Sequence, residues 1–505
     1  MKQVIQSTRT GKLNLTEVPE PTVKAGNILV STRASLISAG TERMVVEFAR
    51  KSLAGKARER PDLVKIVLTK AKRDGVAATI RSVLARLDEP LPLGYSAAGD
   101  VVAVGAGLEG RFRVGQRVAV AGAGLANHAE LNVIPEALAA PIPDDVSYEE
   151  ACFGTLSSIA MHAVRNLGAS FGESVAVIGA GLLGQLVIRL LCLSGVRVLA
   201  LDYNVPRLDL ARRMGAEATY DLGGDDVETT VRDLTAGRGM DGIIISAATE
   251  SSEPFKVAGV IARDRARVCM VGLTGTEFPY REFMQKELNL VVSRSYGPGR
   301  YDPDFEGRGV KYPEGWVRWT ETENLCECLR LMSPSLERRL NVDALTSHTF
   351  KLEEAEKAYD LVTSGAIPHL GVVLTYRTDA PQQQTTFPAP KLTNTENKCV
   401  LGVIGAGGFA RSVLLPELKK MPAVTLHTVA TQRGASAEKT GDTFGFLNAT
   451  ADSEAVLENP DINAILIATR HDSHADLTAR ALQAGKSVLV EKPLALSREG
   501  INAVI

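Results

Sequence analysis

Two stretches of the chain place glycines, at a spacing suited to holding phosphates, directly after runs of apolar residues. The first is Val175-Ala176-Val177-Ile178-Gly179-Ala180-Gly181-Leu182-Leu183-Gly184, a buried strand entering a helix whose apolar face is Leu182, Leu186, Leu190 and Leu193. In that setting Gly179 permits a tight turn, Gly181 lets the backbone approach a pyrophosphate, and Gly184 allows the helix to pack closely on the strand. The helix N-terminus at Leu182 adds unpaired N–H groups that attract phosphate. Asp202 ends the next strand, 23 residues after Gly179. A carboxylate there accepts hydrogen bonds from both ribose hydroxyls and repels a 2′-phosphate, so this site is expected to take NAD(H) rather than NADP(H).

The second stretch is Cys399-Val400-Leu401-Gly402-Val403-Ile404-Gly405-Ala406-Gly407-Gly408-Phe409-Ala410, in which Gly405, Gly407 and Ala410 form the fingerprint. Alanine is an allowed variant at the third place. The strand Val424 to Ala430 ends in Thr431-Gln432-Arg433 without a carboxylate. Arg433 could pair with a 2′-phosphate, or be only a solvated loop residue, and this site is expected to take NADP(H) or NAD(H).

The elements that must position these residues read as α/β, with two doubly wound parallel sheets. Short β-like runs fill the first 40 residues and resume from Leu93 to Val133, giving an antiparallel, barrel-like domain. Between Arg43 and Asp88 apolar residues recur at helical spacing (Val76, Ile80, Leu84, Leu87) among 12 basic and 5 acidic residues. That insertion is either a solvated amphipathic hairpin or a basic lid over the active cleft. A Pro-, Gln-, Thr- and Asn-rich segment over 378–397 has the character of a linker.

At 505 residues the chain exceeds one hydrophobic core, and its 57 basic and 59 acidic residues argue against a surface built for nucleic acid or anionic membrane. The N-terminus lacks the apolar run of a secretory signal, and no uncharged stretch is long enough to span a bilayer. A cytoplasmic protein is expected. Six scattered cysteines without a C-x-x-C pair suit a reducing compartment. Cys326 and Cys328 are placed on different faces of one helix.

Residues 1 to about 377 resemble the medium-chain dehydrogenase/reductase family, alcohol-dehydrogenase-like enzymes in which a GroES-like substrate domain is split around a Rossmann domain. The landmarks are Gly94 to Gly99, Val114-Gly115-Gln116-Arg117-Val118, the Gly179 fingerprint with Asp202, Gly215-Ala216, Val271-Gly272-Leu273, and Thr346 to Ala355. The departures are informative. The family's Cys-Gly-Ser/Thr-Asp segment is matched by Ala39-Gly40-Thr41-Glu42, and its Gly-His-Glu segment by Gly94-Tyr95-Ser96. The cysteine and histidine ligands are thereby lost, the structural-zinc lobe is missing, and no metal is expected. Without a Lewis acid, the oxygen that gains charge on reduction needs hydrogen-bond donors. The resemblance makes Thr41 a proton-relay candidate. Tyr95 either donates or receives the proton, or only fills the space vacated by the metal.

Residues 398 to 505 resemble the N-terminal half of the Gfo/Idh/MocA family, with Gly405 to Ala410, Ala464 to Thr469, His471, His474 and Glu491-Lys492-Pro493 as landmarks. The resemblance puts Lys492 near nicotinamide and substrate. His471 and His474 either border the dinucleotide pocket or cap a helix beginning near Ser473. The family's substrate domain would follow Glu-Lys-Pro, so this module is expected to be incomplete. Between Tyr296 and Thr320, aromatics interleave with Arg300, Arg308, Lys311 and Arg318. They suit a sugar bearing phosphate or carboxylate, or else anchor a loop or subunit contact.

The expected division is 1–160, a GroES-like domain with a helical insertion over 43–92; 161–300, a Rossmann domain; 301–377, the aromatic and basic segment returning to the substrate domain; 378–397, the linker; and 398–505, the second Rossmann domain. The expected activity is zinc-free hydride transfer between nicotinamide and an alcohol or carbonyl of a small polar substrate. The resemblance points to a sugar or nucleotide sugar of surface-polysaccharide metabolism, and a homo-oligomer without nucleic-acid partners is expected. The alternatives are a quinone- or enoyl-type C=C reductase and a non-catalytic dinucleotide sensor or scaffold.

Overall fold

The computed structural model describes residues 1–224, 226–377 and 399–505. The expected linker over 378–397 and Lys398 lie outside the described residues.

The strand Ser174–Ile178 is buried along its whole length, as its unbroken apolar run requires for a strand covered on both faces. It sits third in a six-stranded parallel sheet, ordered Ala218–Asp221, Arg197–Asp202, Ser174–Ile178, Met240–Ile245, Ala262–Met270 and Asn289–Val292. The chain leaves Ser174–Ile178 first toward one edge and later toward the other. The crevice beyond its carboxyl end is therefore the topological switch point where such sheets bind ligands. Residues 399–505 repeat the design in a five-stranded parallel sheet ordered Asn448–Thr450, Val424–Ala430, Cys399–Ile404, Ala464–Ile467 and Ser487–Val490.

The N-terminal sheet is organised by Asn27–Ser38, which pairs antiparallel with Ser96–Val104, Leu131–Pro135 and Gly371–Thr375. The last pairing returns the chain to the N-terminal β domain after the six-stranded sheet. One core spans both domains: Leu36 and Ala98 of the β domain share a buried cluster with Leu156, Leu186 and Leu329. Each such leucine contributes about 1.5–3 kcal/mol by leaving water, so the cleft between the domains has a fixed floor.

Three sequence expectations change. The helical stretch begins earlier and ends sooner than 43–92, comprising Ala39–Arg50, Leu53–Glu59, Pro61–Asp74 and Val76–Leu87. Pro90–Pro92 instead forms a strand against Lys2–Ser7, in keeping with proline's bias against helix at and before its position. Nor do the later helices of the insertion form a lid over the first cleft: among the described residues it gives that cleft's wall Arg43, Met44 and Glu47, all from Ala39–Arg50. The helix Val76–Leu87 packs instead against the turn Ala410–Leu414 of the second Rossmann domain.

The aromatic and basic run over 296–320 also stands away from the cleft, which takes no described lining residue from it. Tyr296 is buried in the β-domain core. Arg165 stacks 3.6 Å over Trp319, and Arg300 pairs with Glu306 at 2.6 Å. Arg300 is thus committed within its own loop, while Arg308, Lys311 and Arg318 pair with Asp304, Glu136 and Glu323 at the surface, in keeping with the loop-anchoring alternative. As expected, Cys326 is exposed and Cys328 buried. Among the described residues no helix is long and apolar enough to cross a membrane.

Candidate active site

A cleft of about 1340 Å³ brings together Thr41, Tyr95, Gly179, Gly181, Leu182 and Asp202. Gly179 turns at φ +96°, and a Cβ there would stand 2.7 Å from the Ala247 nitrogen. A Cβ on Gly184 would lie 1.9 Å from the Gly179 carbonyl oxygen, whereas one on Gly181 would meet nothing within 4 Å. The three glycines thus divide turn, helix packing and open approach as their spacing indicates. Gly181 caps the helix Leu182–Leu193, so its first N–H groups face the crevice mouth. The Asp202 side chain is tied to the loop: Oδ2 accepts the Ala180 N–H at 2.7 Å and Oδ1 accepts the Asn204 N–H at 2.8 Å. Each oxygen keeps a lone pair for a ribose hydroxyl.

At the other end of the cleft, the Ser38 and Thr41 hydroxyls stand beside the Tyr95 phenol. Burial pushes that phenol up to about 12; the two hydroxyls oppose the rise and the Glu42 carboxylate adds to it. Tyr95 therefore keeps its proton through neutral pH. Glu42 is itself buried. Its Oε1 accepts the Ser38 N–H at 3.0 Å, and its Oε2 accepts the Tyr359 hydroxyl and lies 3.2 Å from His128 Nε2. The opposite ring nitrogen, His128 Nδ1, meets Ser35 Oγ at 2.7 Å, and Ser35 meets the Tyr376 hydroxyl at 2.8 Å. With Nε2 donating to the carboxylate, Nδ1 accepts from Ser35. Ser38, Glu42, His128 and Tyr359 were not among the candidate residues read from the sequence. Glu42 adjoins Thr41, but its partners are 86 and 317 positions away, beyond any local signal.

The second fingerprint has the same geometry. Gly405 turns at φ +90° against the Ala468 carbonyl, Gly407 faces open space, and Ala410 is buried against the sheet. Arg433 is exposed just past the strand Val424–Ala430. Lys492 is exposed beside Pro493, whose carbonyl accepts from Nδ1 of the fully buried His474 at 2.8 Å. His474 thus pins the Glu-Lys-Pro segment to the helix His474–Gln483, of which it is the first residue.

Comparison with known proteins agrees with both halves. Residues 183–306 match the zinc-binding dehydrogenase family model, and residues 400–505 match the model of the oxidoreductase family with an NAD-binding Rossmann fold. The chain is a dehydrogenase module fused to a Gfo/Idh/MocA-type module. The dehydrogenase module is similar to a probable D-xylulose reductase A of Neosartorya fischeri, 28% identical over 248 residues, covering 42% of this chain and 68% of that protein. It is similar as well to a sorbitol dehydrogenase of Halalkalibacterium halodurans, 24% identical over 309 residues, 55% and 81% of the two chains. With two other probable D-xylulose reductases A, of Aspergillus niger and Emericella nidulans, the match covers 60% and 50% of the relative's length. In fold it resembles galactitol-1-phosphate dehydrogenase from Escherichia coli, with a TM-score of 0.56 at 19% identity over 74% of this chain and 100% of that one.

The family name raises the question of zinc, and the donor set of the dehydrogenase module does not fit it. Zinc takes three or four N, S or O ligands in tetrahedral register. Ala39 offers no donor, Tyr95 offers a protonated phenol, and the nearby Glu42 and His128 are bonded to each other and to Tyr359 and Ser35. Among the described residues no group of three or more His, Cys, Asp or Glu converges as a metal site.

Proposed function

We propose that the dehydrogenase module is a zinc-independent, NAD(H)-linked oxidoreductase acting on an alcohol or carbonyl carbon of a sugar, polyol or nucleotide sugar. The observation that carries this reading is the meeting of Thr41 and Tyr95 with Gly179, Gly181 and Asp202 in one cleft. Bound nicotinamide supplies or accepts the hydride. The chain's own part is to hold the reacting oxygen. Tyr95, kept protonated, donates a hydrogen bond to the oxygen as negative charge develops, with the Ser38 and Thr41 hydroxyls beside it. The negative charge of Glu42 disfavours tyrosinate, so Tyr95 serves as a hydrogen-bond donor, and the proton that completes the alcohol is relayed from cleft water through the Thr41 hydroxyl, in reverse for oxidation. The sugar and polyol substrates named for the similar reductases and dehydrogenases support the substrate class.

In the second module, Gly405, Gly407, Ala410 and Arg433 would hold a further NADP(H) or NAD(H), with Lys492 at its nicotinamide end. The test is purification of the full chain followed by metal analysis, dinucleotide titration and turnover with pentuloses, hexitols and nucleotide sugars. Reduction of a keto sugar by NADH at under 0.1 zinc per chain is expected on this reading (~0 by the donor argument). One zinc per chain that is needed for turnover would overturn it. Turnover of α,β-unsaturated ketones alone would transfer the site to C=C reduction.

A further inference from the structure

The two modules meet at Glu89, between the helix Val76–Leu87 and the strand Pro90–Pro92. Both of its carboxylate oxygens are committed across the interface. Oε1 accepts from Ser436 Oγ at 2.6 Å, and Oε2 accepts from the Arg411 guanidinium. Arg411 follows Ala410 in the turn that leaves the second glycine loop, and only 10% of its side chain is exposed. Ser436 lies in the first turn of the helix Gly434–Phe444, immediately after Arg433 and Gly434-Ala435. These two segments flank the second dinucleotide crevice, one on the side where the pyrophosphate would lie and one on the side of the adenosine ribose. One carboxylate of the dehydrogenase module therefore bridges the two segments.

The rest of the contact is equally close. A Cβ on Gly434 would stand 2.2 Å from the Pro19 carbonyl oxygen, and one on Gly124 would lie 3.9 Å from Arg433 Nη2. No side chain larger than hydrogen fits at Gly434 unless the modules separate, so the fit itself is specified by sequence. The pair is charge-assisted, with Arg411 shielded and Glu89 34% exposed, and segments held in place before a ligand arrives lose less freedom on binding it.

We propose that Glu89 is a positioning residue for the second dinucleotide pocket, so that docking of the dehydrogenase module sets that pocket's affinity. The inference rests on the reading that the Gly405 crevice holds a dinucleotide. By linkage, a dinucleotide bound there strengthens docking by the same factor.

Isothermal titration of the full chain with NADPH and with NADH tests it. The second site is the one abolished by Gly407→Asp, which introduces a carboxylate where Gly407 now faces open space. Two sites are expected in the unaltered chain. Glu89→Ala and, independently, Gly434→Ala are expected to raise the second-site Kd at least about tenfold, with the first-site Kd held within about twofold; tenfold corresponds to about 1.4 kcal/mol. Glu89→Gln, which keeps an acceptor for Ser436 but loses the charge opposite Arg411, is expected to fall between. The retained first site reports that each variant is folded. Two sites with a second Kd unchanged or tightened in both Glu89→Ala and Gly434→Ala would overturn the proposal alone. One site in the unaltered chain would overturn the second-pocket reading, and the proposal with it.

Discussion

The carboxylate of Glu42 faces Nε2 of His128 at 3.2 Å, with both side chains buried beneath the cleft wall that holds Tyr95. The pair is further bonded to Tyr359 and Ser35. Removing one member leaves a buried charge short of a donor. His128→Ala is therefore expected to lower the unfolding free energy by about 3 kcal/mol or more, read from urea denaturation of the full chain. A loss below about 1 kcal/mol would show that Glu42 does not depend on this partner.

Tyr95→Phe removes the donor aimed at the reacting oxygen while keeping the ring. A fall in kcat of about 10²- to 10³-fold is expected, with NADH affinity unchanged, in steady-state assays paired with fluorescence titration. Because the phenol titrates at about 12, it is protonated across the working range, and its ionisation contributes no limb to the pH profile between about pH 6 and 9. Full turnover by both Tyr95→Phe and Thr41→Val would remove these residues from the chemistry.

Asp202 offers its remaining lone pairs at the ribose position of the first crevice, with Arg207 Nη1 4.0 Å away. Asp202→Gly is expected to weaken NADH binding about tenfold or more and to improve NADPH binding, since the repelling carboxylate is gone and the guanidinium remains. Competitive dinucleotide titration measures both changes. An unchanged NADH to NADPH preference would contradict the role given to Asp202.

Glu321 gives a pH signature unrelated to catalysis. Burial pushes its carboxyl from the ordinary 4.5 up to about 9, Glu306 adding to the rise and Arg300 opposing it. Among the described residues neither of its oxygens has a donor in reach, so ionisation would bury an unpaired charge. A folded-state value above the unfolded one means that the fold binds the proton more tightly. The associated stability is complete below about pH 4.5 and is lost as pH rises through 9. Thermal melting should show Glu321→Gln gaining on the unaltered chain as pH rises from 6 to 9. Parallel melting curves across that range would refute the assignment.

Much of the fold was legible because its signals are local. A strand, three glycine-type positions and an amphipathic helix lie within about 20 residues of one another. Backbone geometry over that span leaves few other conformations, and so both crevices, Asp202 at its strand end and the start of the helix at His474 follow from spacing. Composition alone left two roles open for the aromatic and basic run over 296–320. The partners of cations and rings are not written in composition, and here Glu306 takes up Arg300 and the β-domain core takes up Tyr296.

The amino-acid sequence by itself pointed to two dinucleotide-type crevices, and the family resemblance it carries put Ala39 and Tyr95 at the places of two metal ligands. Only the tertiary structure decided that Tyr95 lies beside Ser38 and Thr41 near a buried Glu42–His128 pair, and that Glu89 joins the modules. The reason is range. Backbone turns and helix starts depend on neighbours along the chain, whereas Glu42 finds Tyr359 across 317 positions and Glu89 finds Arg411 across 322. Packing of whole domains sets those distances, and no spacing within one segment encodes them.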